Sequence, residues 1–158
     1  MKKVYALLLV AVMTVAMAVP TFAANSPEAD PVVKTAAGVD VVAGAKEVKT
    51  SVAAASVAVP SEQLAQQVVS VTSTESVLKD LNVPTSAKLV AAVDVSYSGE
   101  IPAGGVQVPF KVPNAKKGDM VYVLHRQPNA PYTWEVVGSG VLGDDLTVTG
   151  TSTSFSPL

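Results

Sequence analysis

Hydrophobic and polar positions divide this chain into four stretches of different period. From Val4 to Val19 there is no period: 16 residues in which only Thr14 is not apolar, closed by Pro20. From Ala24 to Pro60, small residues (Ala, Val, Ser, Thr) mix with Lys and Glu and are interrupted by Pro27, Pro31 and Pro60. Their side chains are too small to bury enough surface to offset the entropy of ordering, so residues 24–60 are expected to be a disordered, low-complexity linker. Val39 to Val42 and Val52 to Val59 keep the capacity to pair as strands in the presence of a partner.

Between Ser61 and Leu81 the period becomes helical. Ser61 is placed to cap, and Leu64, Val68 and Val71 recur at spacings of four and three. A second cap, Ser73 or Thr74, precedes Val77, Leu78 and Leu81, and Asn82 and Pro84 end the pattern. Residues 61–82 therefore predict one or two short helices, with a break near Val71 to Ser73 where β-branched and hydroxyl side chains weaken a helix.

From Lys88 onward the period is two. Leu89, Ala91, Val93, Val95 and Tyr97 share one face, opposite Asp94, Ser96 and Ser98. Val106, Val108, Phe110 and Val112 alternate with Gln107, Pro109, Lys111 and Pro113, and proline in that register predicts an edge strand. Further strands are expected at Met120 to His125, Tyr132 to Val137, Val141-Leu142, Leu146 to Thr149 and Ser154 to Leu158. Gly138-Ser139-Gly140 reads as a turn between two of them and Gly143-Asp144-Asp145 as a hairpin turn. The fold class expected is mainly β: a small antiparallel immunoglobulin-like β-sandwich over residues 83–158, preceded by the helices and the disordered linker.

The first stretch carries an address. Lys2 and Lys3 precede the apolar run and Thr21-Phe22-Ala23 follows it, with small residues at the two positions a signal peptidase requires. Residues 1–23 read as a cleavable signal peptide, shorter than the roughly 20 apolar residues of a spanning helix. The mature chain is expected to be secreted or extracytoplasmic, with no stable membrane insertion after cleavage. With 0 Cys there is no lipidation site, and no LPxTG-like sorting signal is present, so any association with the cell surface is expected to be non-covalent.

Charge changes the picture only by exclusion. The signal segment takes with it two of the 11 basic residues and none of the 13 acidic ones, so the mature chain is more acidic than the formal −2 of the whole. The only adjacent basic pair left is Lys116-Lys117, beside Gly118 in a turn, which does not support nucleic acid as a partner. The mean hydropathy of +0.39 owes much to the signal segment. The six aromatic residues after Phe22, from Tyr97 to Phe155, locate the core in the last part of the chain.

Three ordered segments, Gly118 to His125, Trp134 to Val137 and Ser154 to Pro157, resemble a β-sandwich module found near the C-termini of surface and secreted proteins of Gram-positive bacteria. Members of that family mostly lack an assigned activity. The resemblance spans residues 83–158 and implies a bacterial surface protein with an immunoglobulin-like sandwich. This chain departs from the pattern in two places: Pro128, Pro131 and Tyr132 occupy a loop that is otherwise a simple glycine-rich turn, and Leu158 stands where such modules continue with several apolar residues. The last strand is therefore expected to be short or to be supplied by another molecule.

Candidate chemistry is sparse. His125 is the one histidine, too few for an imidazole metal site and without a recognisable acid partner in sequence. Ser154-Phe155-Ser156 has serine where self-cleaving sandwiches carry the activating histidine. Asp94, Asp119, Asp144 and Asp145 lack the alternating pattern of a calcium loop. There is no phosphate-binding loop, nucleophile elbow or metalloprotease motif, so no catalytic residue, metal or cofactor is expected. Tyr132 and Trp134 share a strand face and are the candidate ligand-binding residues, since exposed aromatic rings stack on sugars. The reading is a non-enzymatic extracellular binding or structural module, its partner a cell-envelope polysaccharide or protein, with a carbohydrate-binding module as the alternative.

Overall fold

A computed structural model describes residues 6–12, 32–35, 38–127 and 133–155. The chain is mostly β. Strands β1 (Ala6–Val12), β2 (Lys49–Thr50), β3 (Ala55–Ala58), β4 (Lys88–Tyr97), β5 (Val106–Lys111), β6 (Met120–Arg126), β7 (Trp134–Val141) and β8 (Thr147–Ser152) accompany helices α1 (Val41–Glu47), α2 (Glu62–Thr72) and α3 (Glu75–Asp80). Five strands form one sheet in the order β3-β4-β1-β6-β7, and three form a second in the order β2-β5-β8. Most pairings are antiparallel, but β1 runs parallel to both of its neighbours.

The larger sheet is covered on both faces. Val93 and Val95 of β4 and Val121 and Val123 of β6 meet Val108 and Phe110 of β5 and Val148 of β8 in one core between the sheets. A second core gathers Leu89, Ala92 and Leu124 of the same sheet with Val41 and Val42 of α1, Ala65 and Val68 of α2, and Leu78 of α3. This second layer corrects the expected half-polar face of β4. Val90 and Ala92, which alternation assigns to the polar side, are buried like their neighbours. A register shift in the β1–β4 ladder, with Leu8 opposite Leu89 and Leu9 opposite Ala91, leaves Val90 as the extra residue of a bulge and turns it to the same core as Ala91.

The helical stretch forms as its caps predict. The Ser61 hydroxyl accepts from the Leu64 amide at 3.3 Å and starts α2. The chain breaks at Ser73 and restarts after Thr74, although the Thr74 hydroxyl turns back to the Ser70 carbonyl rather than capping α3. Asn82, at φ 55°, terminates the pair in the left-handed conformation that asparagine tolerates.

The expected disordered linker is corrected over residues 38–60. Asp40 Oδ1 accepts from the Val42 and Ala43 amides at 3.1 and 3.0 Å and caps α1, while β3 pairs antiparallel with β4 from Ala55 opposite Tyr97 to Ala58 opposite Asp94. The strand capacity of Val52 to Val59 is thus used within the chain itself. Small side chains here serve close approach: a Cβ on Gly44 would lie 2.6 Å from the Val90 carbonyl oxygen, so α1 lies flat on β4 only because that position has none. Gly44→Ala is expected to cost about 1–3 kcal/mol, read from the urea midpoint. An unchanged midpoint would show that α1 does not pack as described.

Two strand expectations also change. Gly138-Ser139-Gly140, read as a turn, lies inside β7, which runs unbroken from Trp134 to Val141. Gly143 to Asp145 does not close a hairpin of paired strands, because β7 and β8 belong to different sheets. The expected edge strand is corrected as well: β5 lies between β2 and β8, and the short β2 covers only Phe110 and Lys111, so Pro109, opposite Thr149 of β8, has no partner on the β2 side. Phe155 is buried and stacks on Tyr97, ring centroids 5.2 Å apart. Residues 156–158 lie outside the described residues. Among the described residues, no helix is long and apolar enough to cross a membrane.

Candidate functional site

The strongest polar constellation sits at the loop end of the β6–β7 hairpin. His125, near the end of β6, is fully buried. Its Nδ1 lies 2.9 Å from Oε1 of Glu135, and the same oxygen accepts from Gln127 Nε2 at 2.6 Å. An ionised carboxylate can only accept, so Nδ1 is the donor in this pair. Nε2 is buried with no partner among the described residues.

The pairing depends on a bulge. Val123 stands opposite Gly138, but Leu124 stands opposite Val136, so Val137 is the extra residue. Without it, Val136 would face His125 and Glu135 would face Arg126. With it, Glu135 faces His125 directly. Sequence reading found no acid for this histidine because the register is set by one unpaired residue in a strand whose glycines suggest a turn instead.

What this pair can do is limited by its position. The carboxylate end is open, with the Glu135 side chain 45% exposed, while the imidazole is sealed. Nε2 is buried, and the pair ties the end of β6 to the start of β7. Glu135→Ala is expected to cost about 1–3 kcal/mol, the usual penalty for stranding a buried donor. Glu135→Gln, which keeps an acceptor, is expected to cost less. Urea titration reads both, and 15N chemical shifts of the imidazole should report a proton on Nδ1 in the unaltered protein.

Trp134 stands opposite Arg126 at the start of β7 and is half-buried against the helix-side core. Its packing uses part of the ring that a sugar platform would need. Tyr132, its expected companion, lies outside the described residues. Arg126 Nη1 reaches Gln67 Oε1 of α2 at 3.4 Å, tying the same end of the hairpin to the helix layer.

A cleft of about 710 Å³ opens elsewhere, between α1, the start of β4 and the turn before β6. Asp40, Glu47, Lys88, Lys116, Lys117 and Asp119 line it. Much of its charge is already engaged: Asp40 caps α1, Asp119 Oδ2 accepts from the Lys116 amide at 2.9 Å, and Lys117 pairs with Asp144 at 2.8 Å. Asp119 and Asp145 thus serve turns, Asp145 through the Thr147 amide at 3.3 Å. Among the described residues, no three His, Cys, Asp or Glu side chains gather closely enough to hold a metal ion. Comparison with known proteins found no family model, no curated protein and no solved structure that matches this chain.

Proposed function

We propose that this chain is an exported, non-enzymatic binding module of the bacterial cell envelope or secretome, built on an immunoglobulin-like β-sandwich. The observation that carries the reading is the segment Lys2 to Ala23: two lysines, an apolar run and a small-residue cleavage site, joined to a chain without cysteine. The sandwich reading is supported by two sheets that share one core. The motifs of the surface-protein resemblance fall on consecutive parts of that body: Gly118 to His125 lead into and along β6, Trp134 to Val137 open β7, and Phe155 packs beneath Tyr97.

Export is tested by expressing the full chain in a Gram-positive host and measuring the mass of the protein recovered from the medium and the cell surface. Recovery there with Ala24 as the first residue is expected. An intact chain confined to the cytoplasm would overturn the reading. Retention of the processed chain on purified cell-wall polysaccharide or peptidoglycan would identify a glycan partner, and lack of retention would direct the search to proteins.

A further inference from the structure

The first strand of the larger sheet lies inside the segment that export would remove. β1 occupies an interior position, in register with β4 from Leu7 opposite Lys88 to Val12 opposite Asp94, and with β6 from Ala6 opposite Met120 to Ala11 opposite His125. We propose that signal cleavage opens a strand-wide slot between β4 and β6, and that this slot accepts an apolar β-strand from another exported polypeptide. The inference rests on the export reading above.

The walls of the slot state what it accepts. Ala91, Ala92 and Val93 on one side and Val121 and Val123 on the other are all 0% exposed, and Leu124 is 1% exposed. These residues belong to both cores, so a strand between them is covered on one face by the second sheet and on the other by the helices. A strand buried on both faces must be apolar at every position, not at alternate ones. Ala-Leu-Leu-Leu-Val-Ala-Val is such a sequence. The matching occupant is an uncharged run of about seven apolar residues that enters parallel to β4 and β6.

An empty slot is costly. It leaves two rows of backbone donors and acceptors without partners between two apolar layers. Direct closure would require β4 and β6 to move together by roughly 4.8 Å, one strand spacing, carrying with them the sheet and helix layers that span both. Residues 24–158 offer no substitute. The valine-rich part is already used, with α1 and β3 packed on β4 and Val33 bound through its carbonyl to the Val41 amide, and Ala24 to Pro31 carries Glu28, Asp30 and two prolines. A second copy has the same lack, so the donor is a different polypeptide.

The probe is a synthetic peptide with the sequence of Ala6–Val12 flanked by lysines for solubility, added to the processed chain 24–158. Saturable 1:1 binding is expected, with slowed amide exchange at Val93 and Val123. A peptide carrying Leu9→Pro, which loses a ladder donor, should bind at least about tenfold more weakly. Absence of binding, or equal binding of both peptides, overturns the proposal. Should the processed chain be unfolded alone, the unaltered peptide is expected to restore the circular dichroism of the full chain, and failure to do so also overturns it.

Closure is read separately. Lys88 and Val121 both stand opposite Leu7, so Lys88→Cys with Val121→Cys places two thiols across the slot in a chain that has no other. They are expected not to join, because two strand spacings exceed the roughly 7 Å between Cα atoms that a disulfide spans. Ready oxidation in the processed chain shows that β4 and β6 have paired and overturns the slot. The two readings fail in different ways. Exported protein that keeps residues 1–23 overturns cleavage, whereas processed protein that ignores the peptide overturns only the strand acceptor.

Discussion

Replacing Phe110 by alanine is expected to destabilise the protein by about 3–5 kcal/mol, the usual range for deleting a buried aromatic ring. Phe110 is 0% exposed and is the largest fully buried side chain among the described residues. It pairs with Val148 on one side and Thr50 on the other, and it faces the valines of β4 and β6 across the space between the sheets. No neighbour is placed to fill the void, since β5 is held in register by both flanking strands. Domains of this size are stable by only about 5–15 kcal/mol, so the loss should be visible as a large drop in urea midpoint with an unchanged slope. Val141→Ala is the control: that residue is 66% exposed, and a change within about 0.5 kcal/mol is expected. Similar losses for the two variants would contradict the core described between the sheets.

Gly138→Val is expected to cost about 3 kcal/mol or more, at or beyond the upper end of ordinary overpacking. A Cβ on Gly138 would overlap the Thr149 carbonyl oxygen, and the Gly150 backbone lies directly behind it. The obstacle is main chain on β8, which is fixed by its ladder with β5 and cannot rotate aside as a side chain can. Two residues away, Gly140 has nothing within 4 Å of a Cβ. Valine there is expected to be neutral within about 0.5 kcal/mol or mildly favourable, because β-branched residues suit strands and glycine weakens them. Paired thermal or urea melts separate the two, and equal effects would mean that β7 and β8 do not approach as closely as described. The contrast also isolates the cause, since both glycines lie in the same strand.

That pair of glycines shows where local reading stops. Gly-Ser-Gly is ordinary turn chemistry, and nothing within a few residues distinguishes a glycine that reverses the chain from one that admits another strand's backbone. The difference lies in β8, nine residues or more away in sequence. The acid partner of His125 was hidden for a related reason. A single bulge at Val137 exchanges Val136 for Glu135 opposite the histidine, and a bulge leaves no signature in a run of valines and glycines. By contrast, the Ser61 cap and the break at Ser73 are events within one turn of helix. Their side chains act on backbone groups three or four residues away, which is why composition and spacing disclosed them.

The small-residue stretch before Pro60 belongs to both cases. Its lack of aromatic and long apolar side chains argues correctly that it forms no core of its own. It is nonetheless ordered from Gly38 to Pro60, because surface supplied by β4 completes what its valines and alanines lack.

Strand and helix periods, the caps and the apolar run near the N-terminus are properties of neighbouring residues, and the alternation from Lys88 onward was sufficient to establish a mostly β chain with short helices ahead of it. Layering was not available at that level. The same alternation serves a strand with one wet face and a strand wedged between a sheet and a helix layer, and only the positions of α1, α2 and α3 exclude the former for β4. The N-terminal apolar run illustrates the limit most sharply. A run of uncharged apolar residues suits export and also suits a strand buried on both faces, because both environments ask for the same absence of polar atoms. Its place between β4 and β6 follows from which backbone edges the rest of the fold leaves unpaired.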